Sequence, residues 1–169
     1  MTPEQATFLA QQYVTTMQHE VPTTLKVLRA VPDAGWSYKP DEKSRTAGEL
    51  AQHIAHVDPW FIEGVVERRY AFDKETAGAL LASLKTTADV VAHYEKAMPA
   101  VFARVLAMTG EELLTPVDFF GQVTQPAVGF LSLANNHGIH HRGQLASYLR
   151  SMGAKVPAIY GPSGDEPMS

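Results

Sequence analysis

The sequence predicts an all-α fold, a four-helix bundle with short extra helical turns and loops. Three observations carry this. Apolar residues recur at three- and four-residue spacings over long stretches. Helix-start chemistry stands ahead of those stretches. Clusters of Pro, Gly and polar residues separate them.

Taken in order, Thr2 followed by Pro3, Glu4 and Gln5 reads as a helix start. The first helix is expected over 3–30, with Phe8, Val14, Met17, Val21, Leu25 and Leu28 on its apolar face and Pro22 as a bend. Residues 32–40, with Gly35 and Pro40, form a loop. The second helix opens at "TAGE", where Thr46 caps and Glu49 completes a capping box. It is expected over 46–70, kinked at Pro59. A short helical lead-in at 77–84 precedes a third helix at 86–108, and "TGEELL" adds a further turn. "TPVDFFGQVTQP" reads as a loop or brief strand. Pro126 is expected to open the last long helix, 126–152, and Gly153 to close it. The Pro- and Gly-rich tail "KVPAIYGPSGDEPMS" is expected across the surface. Neither a repeat nor a low-complexity block divides the chain, so residues 1–169 are expected to form one domain.

Composition excludes several functions. The 14 basic and 18 acidic residues leave a net charge of −4 without a basic stripe, which argues against nucleic-acid binding. There is no cysteine, hence no disulfide, no thiolate ligand and no cysteine nucleophile. No apolar run reaches the roughly 18–20 residues of a membrane helix. The N-terminus lacks the pattern of a secretory signal. A soluble cytoplasmic protein is expected.

The chemistry concentrates in the histidines. Three of the seven, His137, His140 and His141, stand within "NNHGIHHRGQL". Each helical residue advances by about 100°, so His137 and His141 share a face one turn apart while His140 and His141 diverge. Neutral imidazoles at HxxxH spacing can clamp a metal at about 2.0–2.1 Å. A second pair, His53 and His56, lies in "ELAQHIAHVDPWF". His53 is close in angle to the apolar Leu50, Ile54 and Val57, and a buried imidazole needs a partner. If the second and last helices are neighbours, one metal satisfies His53, His137 and His141. Spacing alone leaves His56 and His140 as rivals. His19 and His93 lack metal-like spacing and read as surface residues. Arg142 could steer an anion, although a solvated or ion-paired role is commoner for a helical arginine. Glu49 or Asp58 could orient His53 or act as a base. Trp60, Phe61 and Tyr148 could line a pocket or simply belong to the core.

"WSYKPDEKSRTAGEL", "AGELAQHIAHVDPWF" and "NNHGIHHRGQLASYLRSMGAKVPAIYGPSGDE" resemble the DinB-like (DinB/YfiT) superfamily of metal-dependent four-helix-bundle proteins, over nearly the whole chain. The resemblance implies one metal histidine on the second helix and an HxxxH pair on the last long one. Carried over residue by residue, these are His53, His137 and His141. It also implies a homodimer. Three nitrogen ligands leave a coordination position open, as in catalytic sites. The reading is a divalent-metal-binding protein, with Zn or Ni as the expected metal. Its expected action is that of a hydrolase or a low-molecular-weight-thiol S-transferase on a small molecule, with any thiol brought by a cosubstrate. The alternative is a non-catalytic or stress-associated protein whose metal is structural.

Overall fold

Three of the four long helices begin where a side chain supplies what the first backbone N–H groups lack; the last of them starts at Gly129 without such a cap. A computed structural model describes residues 1–167; Met168 and Ser169 of the tail lie outside the described residues. Helix α1 spans Pro3–Arg29 and opens on Thr2, whose hydroxyl accepts from Gln5 N while Gln5 Oε1 accepts from Thr2 N. Helix α2 spans Ala47–Glu67 behind the Thr46–Glu49 capping box, with bonds of 3.1 and 2.7 Å. Helix α3 covers Lys74–Ser83, α4 covers Thr87–Leu106 and α5 covers Gly110–Leu114. Helix α6 spans Phe130–Ser151, and Gly153 takes the left-handed φ of 72° that ends it. Helices α1 and α2 run unbroken through Pro22 and Pro59.

One boundary differs from expectation. Pro126 does not open the last helix. It ends strand β2, Val123–Pro126, which pairs antiparallel with β1, Pro116–Phe119. Its ψ of 142° is extended, and a single 3-10 turn, Ala127–Gly129, intervenes before α6. The proline's fixed φ suits the end of a short strand as well as the start of a helix. Phe8 also departs: it is 62% exposed, and the buried seam of α1 is carried by Ala6, Ala10, Val14 and Met17.

Four helices form the bundle. Helix α2 packs on α4 and α6, and α1 packs on the same two, so α1 and α2 are diagonal partners and so are α4 and α6. The core between them includes Val14, Leu28, Leu50, Ile54, Phe130, Leu131, Leu145 and Leu149. Each such side chain contributes about 1.5–3 kcal/mol through burial. The seams of α2 and α6 also bury two charged residues, Asp58 and Arg142, at 4% and 1% exposure. Burying a charge is costly unless it is paired, so each of these two must have a partner within the bundle.

Candidate metal centre

His53 comes from the middle of α2, and His137 and His141 come from successive turns of α6. Because α2 and α6 are neighbours, the three imidazoles meet. His53 Nε2 lies 3.1 Å from His137 Nε2 and 3.2 Å from His141 Nε2. One ligand atom from each of the three falls within 4.8 Å of the others. All three side chains are half-buried.

The hydrogen bonds behind the rings determine what they offer. His137 Nδ1 is 2.8 Å from Asp58 Oδ1. A carboxylate only accepts, so Nδ1 carries the hydrogen and Nε2 keeps its lone pair. His141 Nδ1 donates in the same way to Gln144 Oε1 at 3.0 Å. Two bare Nε2 atoms therefore face His53, whose Nε2 can carry at most one hydrogen. Three neutral imidazoles in this arrangement cannot all satisfy one another. A cation fits the donor set: nitrogens about 2.0–2.1 Å from one ion stand about 2.9–3.4 Å apart in octahedral or tetrahedral geometry. Both Nε2 separations from His53 lie in that range.

Electrostatics favour the ligand form. Burial, and after it the Arg45 charge, lowers the His53 pKa from 6.5 to about 3. Burial also lowers His141, opposed by its bond to Gln144. Asp58 is held in turn by Tyr94, whose hydroxyl donates to Oδ2 at 3.0 Å. Burial and the Asp58 carboxylate keep that phenol protonated well above its usual range. The chain Tyr94–Asp58–His137 thus orients one ring from outside the cluster, as carboxylates commonly do for metal-ligating histidines. Gly138 permits it: a Cβ there would stand 3.0 Å from Asp58 Oδ2.

The remaining candidates separate cleanly. His140 is exposed on α6, its ring 4.7 Å from that of His141 and turned to solvent. His19 is exposed, as expected of a surface residue. His93 is half-buried instead, on the wall of a cleft of about 360 Å³ that it shares with His56 and Trp60. Glu49 is used by the capping box. Asp58 orients His137 rather than His53. Arg142 is ion-paired, with Glu20 at 2.6 Å, yet it is also buried and so cannot steer a ligand. Phe61 packs its ring 5.1 Å from His137, and Tyr148 is a core residue against Tyr38. Sequence reasoning missed Tyr94 and Gln144. A signal existed for Asp58: it falls four residues after Ile54, on the buried seam, where a carboxylate must have partners.

Fold and site together define a class: a four-helix bundle whose second and last long helices turn three histidines to one point in a manner compatible with metal binding. The sequence profile of the DinB family matches residues 4–168, and the chain belongs to that family. It is 27% identical over 157 residues to the uncharacterized protein YrdA of Bacillus subtilis (strain 168), covering 91% of this chain and 89% of that one. Among solved structures, a DinB-like protein of Bacillus cereus ATCC 10987 superposes with a TM-score of 0.73 at 25% identity, over 89% of this chain and 97% of its own. A DinB-like protein of Bacillus subtilis gives 0.67 at 24%, over 88% and 97%. A DinB-family protein of Exiguobacterium sibiricum 255-15 gives 0.68 at 20%, over 89% and 95%, and shares the fold.

Proposed function

We propose that His53, His137 and His141 bind one divalent transition metal, Zn or Ni, and that the protein is a metal-dependent enzyme acting on a small molecule. The observation that carries the reading is the convergence of three half-buried imidazole nitrogens, two of them fixed as lone-pair donors by Asp58 and Gln144. His53 also lines a cleft of about 470 Å³. A three-nitrogen site with access from a cleft is the pattern of a catalytic rather than a closed structural metal. A bound ion would supply Lewis acidity, acidifying a water or a thiol or polarising a carbonyl. Hydrolysis and thiol S-transfer are the two reaction classes this supports. The chain has no cysteine, so in the second class the thiol belongs to a cosubstrate. The protein's own residues hold the ligand tautomers, and the Phe61 ring packs against His137.

One feature favours a structural metal instead. The ligands come from two helices far apart in sequence, so an ion would tie α2 to α6. Exchange separates the readings, because a catalytic site takes up a small thiol or anion at the metal whereas a staple does not. Family resemblance supports a homodimer as part of the same proposal, and light scattering at micromolar concentration checks it.

The central test is elemental analysis of protein made without a metal-affinity tag. One equivalent of metal is expected in the wild type, with sharp loss in His53→Ala, His137→Ala and His141→Ala and near-full content in His140→Ala. Metal that survives loss of His137 or His141 but vanishes with His140 refutes the assigned face.

A further inference from the structure

The loop entering α2 is built tightly. Asp41 accepts from the backbone N–H groups of Lys43 and Ser44 at 2.8 and 3.1 Å, and Ala47 N donates to Tyr38 O at 2.7 Å. The loop sets Lys43 and Arg45 on the wall of the same 470 Å³ cleft that His53 lines. Both cations are exposed, and among the described residues neither forms an ion pair. The acidic residue on that wall, Glu49, already accepts from Thr46 N at 2.7 Å in the capping box. A guanidinium without a counter-ion, beside a site suited to a divalent cation, marks a place where negative charge is favoured.

Part of the cleft lining is apolar. Val57, Leu81 and Phe72 form it, and Phe72 is 56% exposed. Phe72 and His56 also border the neighbouring 360 Å³ cleft, where Trp60 and Leu80 continue the apolar surface. Positive charge and aromatic surface lining one cleft suit a ligand with both characters. Arginine is better fitted than Lys43 to fix its orientation, because the planar fork pairs both oxygens of a carboxylate and stays charged at every working pH.

We propose that Arg45 is the specificity residue of this cleft, pairing with the acidic group of a small organic anion whose apolar part lies on Phe72. The proposal rests on the metal-site reading above and names the substrate class for that site. Arg142, the arginine beside the ligands in sequence, is excluded from this role by its buried pairing with Glu20.

The test is calorimetric titration of zinc-loaded protein with 3-phenylpropanoate and with its neutral amide, in wild type and Arg45→Gln, with zinc content measured on each sample. Wild type is expected to bind the carboxylate about tenfold or more tightly than the amide, the scale of one charge-assisted pairing. Arg45→Gln is expected to lose that preference, with amide affinity and zinc content unchanged. Full zinc with no carboxylate binding up to about 10 mM, no preference over the amide, or an unaffected Arg45→Gln overturns this proposal and leaves the metal reading standing. Zinc lost only in Arg45→Gln assigns the arginine to the metal site and overturns it too. A wild type that holds no zinc overturns both.

Discussion

Asp58 is the residue on which the candidate site turns. It is 4% exposed, lies on the buried seam of α2, and accepts hydrogen bonds from His137 on α6 and Tyr94 on α4. Its carboxylate thereby selects the His137 tautomer that presents Nε2 to the cluster. Asp58→Asn keeps the shape and an acceptor but removes the charge. A loss of about 10–100-fold in metal affinity is expected, the range seen when such supporting groups are removed, with circular dichroism confirming an unchanged fold. His53 gives a pH signature in the metal-free protein. Burial is the main cause of its depressed pKa of about 3, whereas in the unfolded chain it titrates near 6.5. Between those values the unfolded state takes up a proton that the folded state refuses. The contribution of His53 is therefore fully present above about pH 6.5 and is lost progressively as the pH falls toward 3. Denaturation midpoints in chelator should fall over that window, and should fall less steeply in His53→Gln. Equal slopes in the two proteins refute this account.

At the scale of elements, the three histidines meet because α2 packs on α6, while the start of α2 bears on stability. Thr46 and Glu49 satisfy each other's backbone N–H at the start of α2, two turns before His53. Thr46→Ala removes the cap and should cost about 1 kcal/mol, a fall of about 2–4 °C in Tm for a chain of this size. Metal content should be unchanged, because the ligands lie well inside the helix; metal lost along with Tm would contradict this. Helix α6 begins late, after the β1–β2 hairpin. That hairpin turns through Phe120 and Gly121, both at positive φ, and sets Phe120 parallel to the Trp60 ring at 6.4 Å. The hairpin thus packs against Trp60 and Phe61 of α2.

In the whole molecule, two polar networks cross the apolar core. One is Tyr94–Asp58–His137. The other joins Arg142 to Glu20 of α1 and to Tyr160, whose hydroxyl also donates to Glu20 at 2.8 Å. The second network fastens the C-terminal tail across α1 and α6, and Arg150–Asp165 at 2.8 Å adds a further tie. A metal held between α2 and α6 would stabilise the folded state alone. At a hundredfold excess over Kd, about 2.7 kcal/mol is expected, or roughly 5–10 °C in Tm. Melting with zinc and with chelator measures it, and no shift in a protein shown to bind zinc would mean that the unfolded chain binds it comparably. No described helix is long and apolar enough to cross a membrane.

The helices, the helix start at Thr2 and the Thr46–Glu49 capping box were legible in the sequence because they are local. A Thr followed three residues on by Glu or Gln makes its bonds within one turn, and apolar spacing records which face is buried. The pairing of His137 with His141 was legible for the same reason, since HxxxH puts two rings on one face. Other features involve residues far apart in the chain, and the sequence alone does not record them. That α2 lies diagonal to α1 and beside α6 is a result of packing, and only this brings His53 to the pair. Asp58 was readable as a carboxylate on a buried seam, but its choice of His137 over His53 depended on the rotation of α2 against α6. Pro126 was misplaced because its φ suits a strand end and a helix start alike, and the pairing with Pro116 decided between them. Arg142 has the ion-paired role commoner for a helical arginine, but the pairing is sealed against Glu20, whereas Arg45, eight residues before His53, stands exposed on the cleft. Sequence position determines which charges a helix carries, but the packing of its neighbours decides which of them meet a counter-charge and which remain open to a ligand.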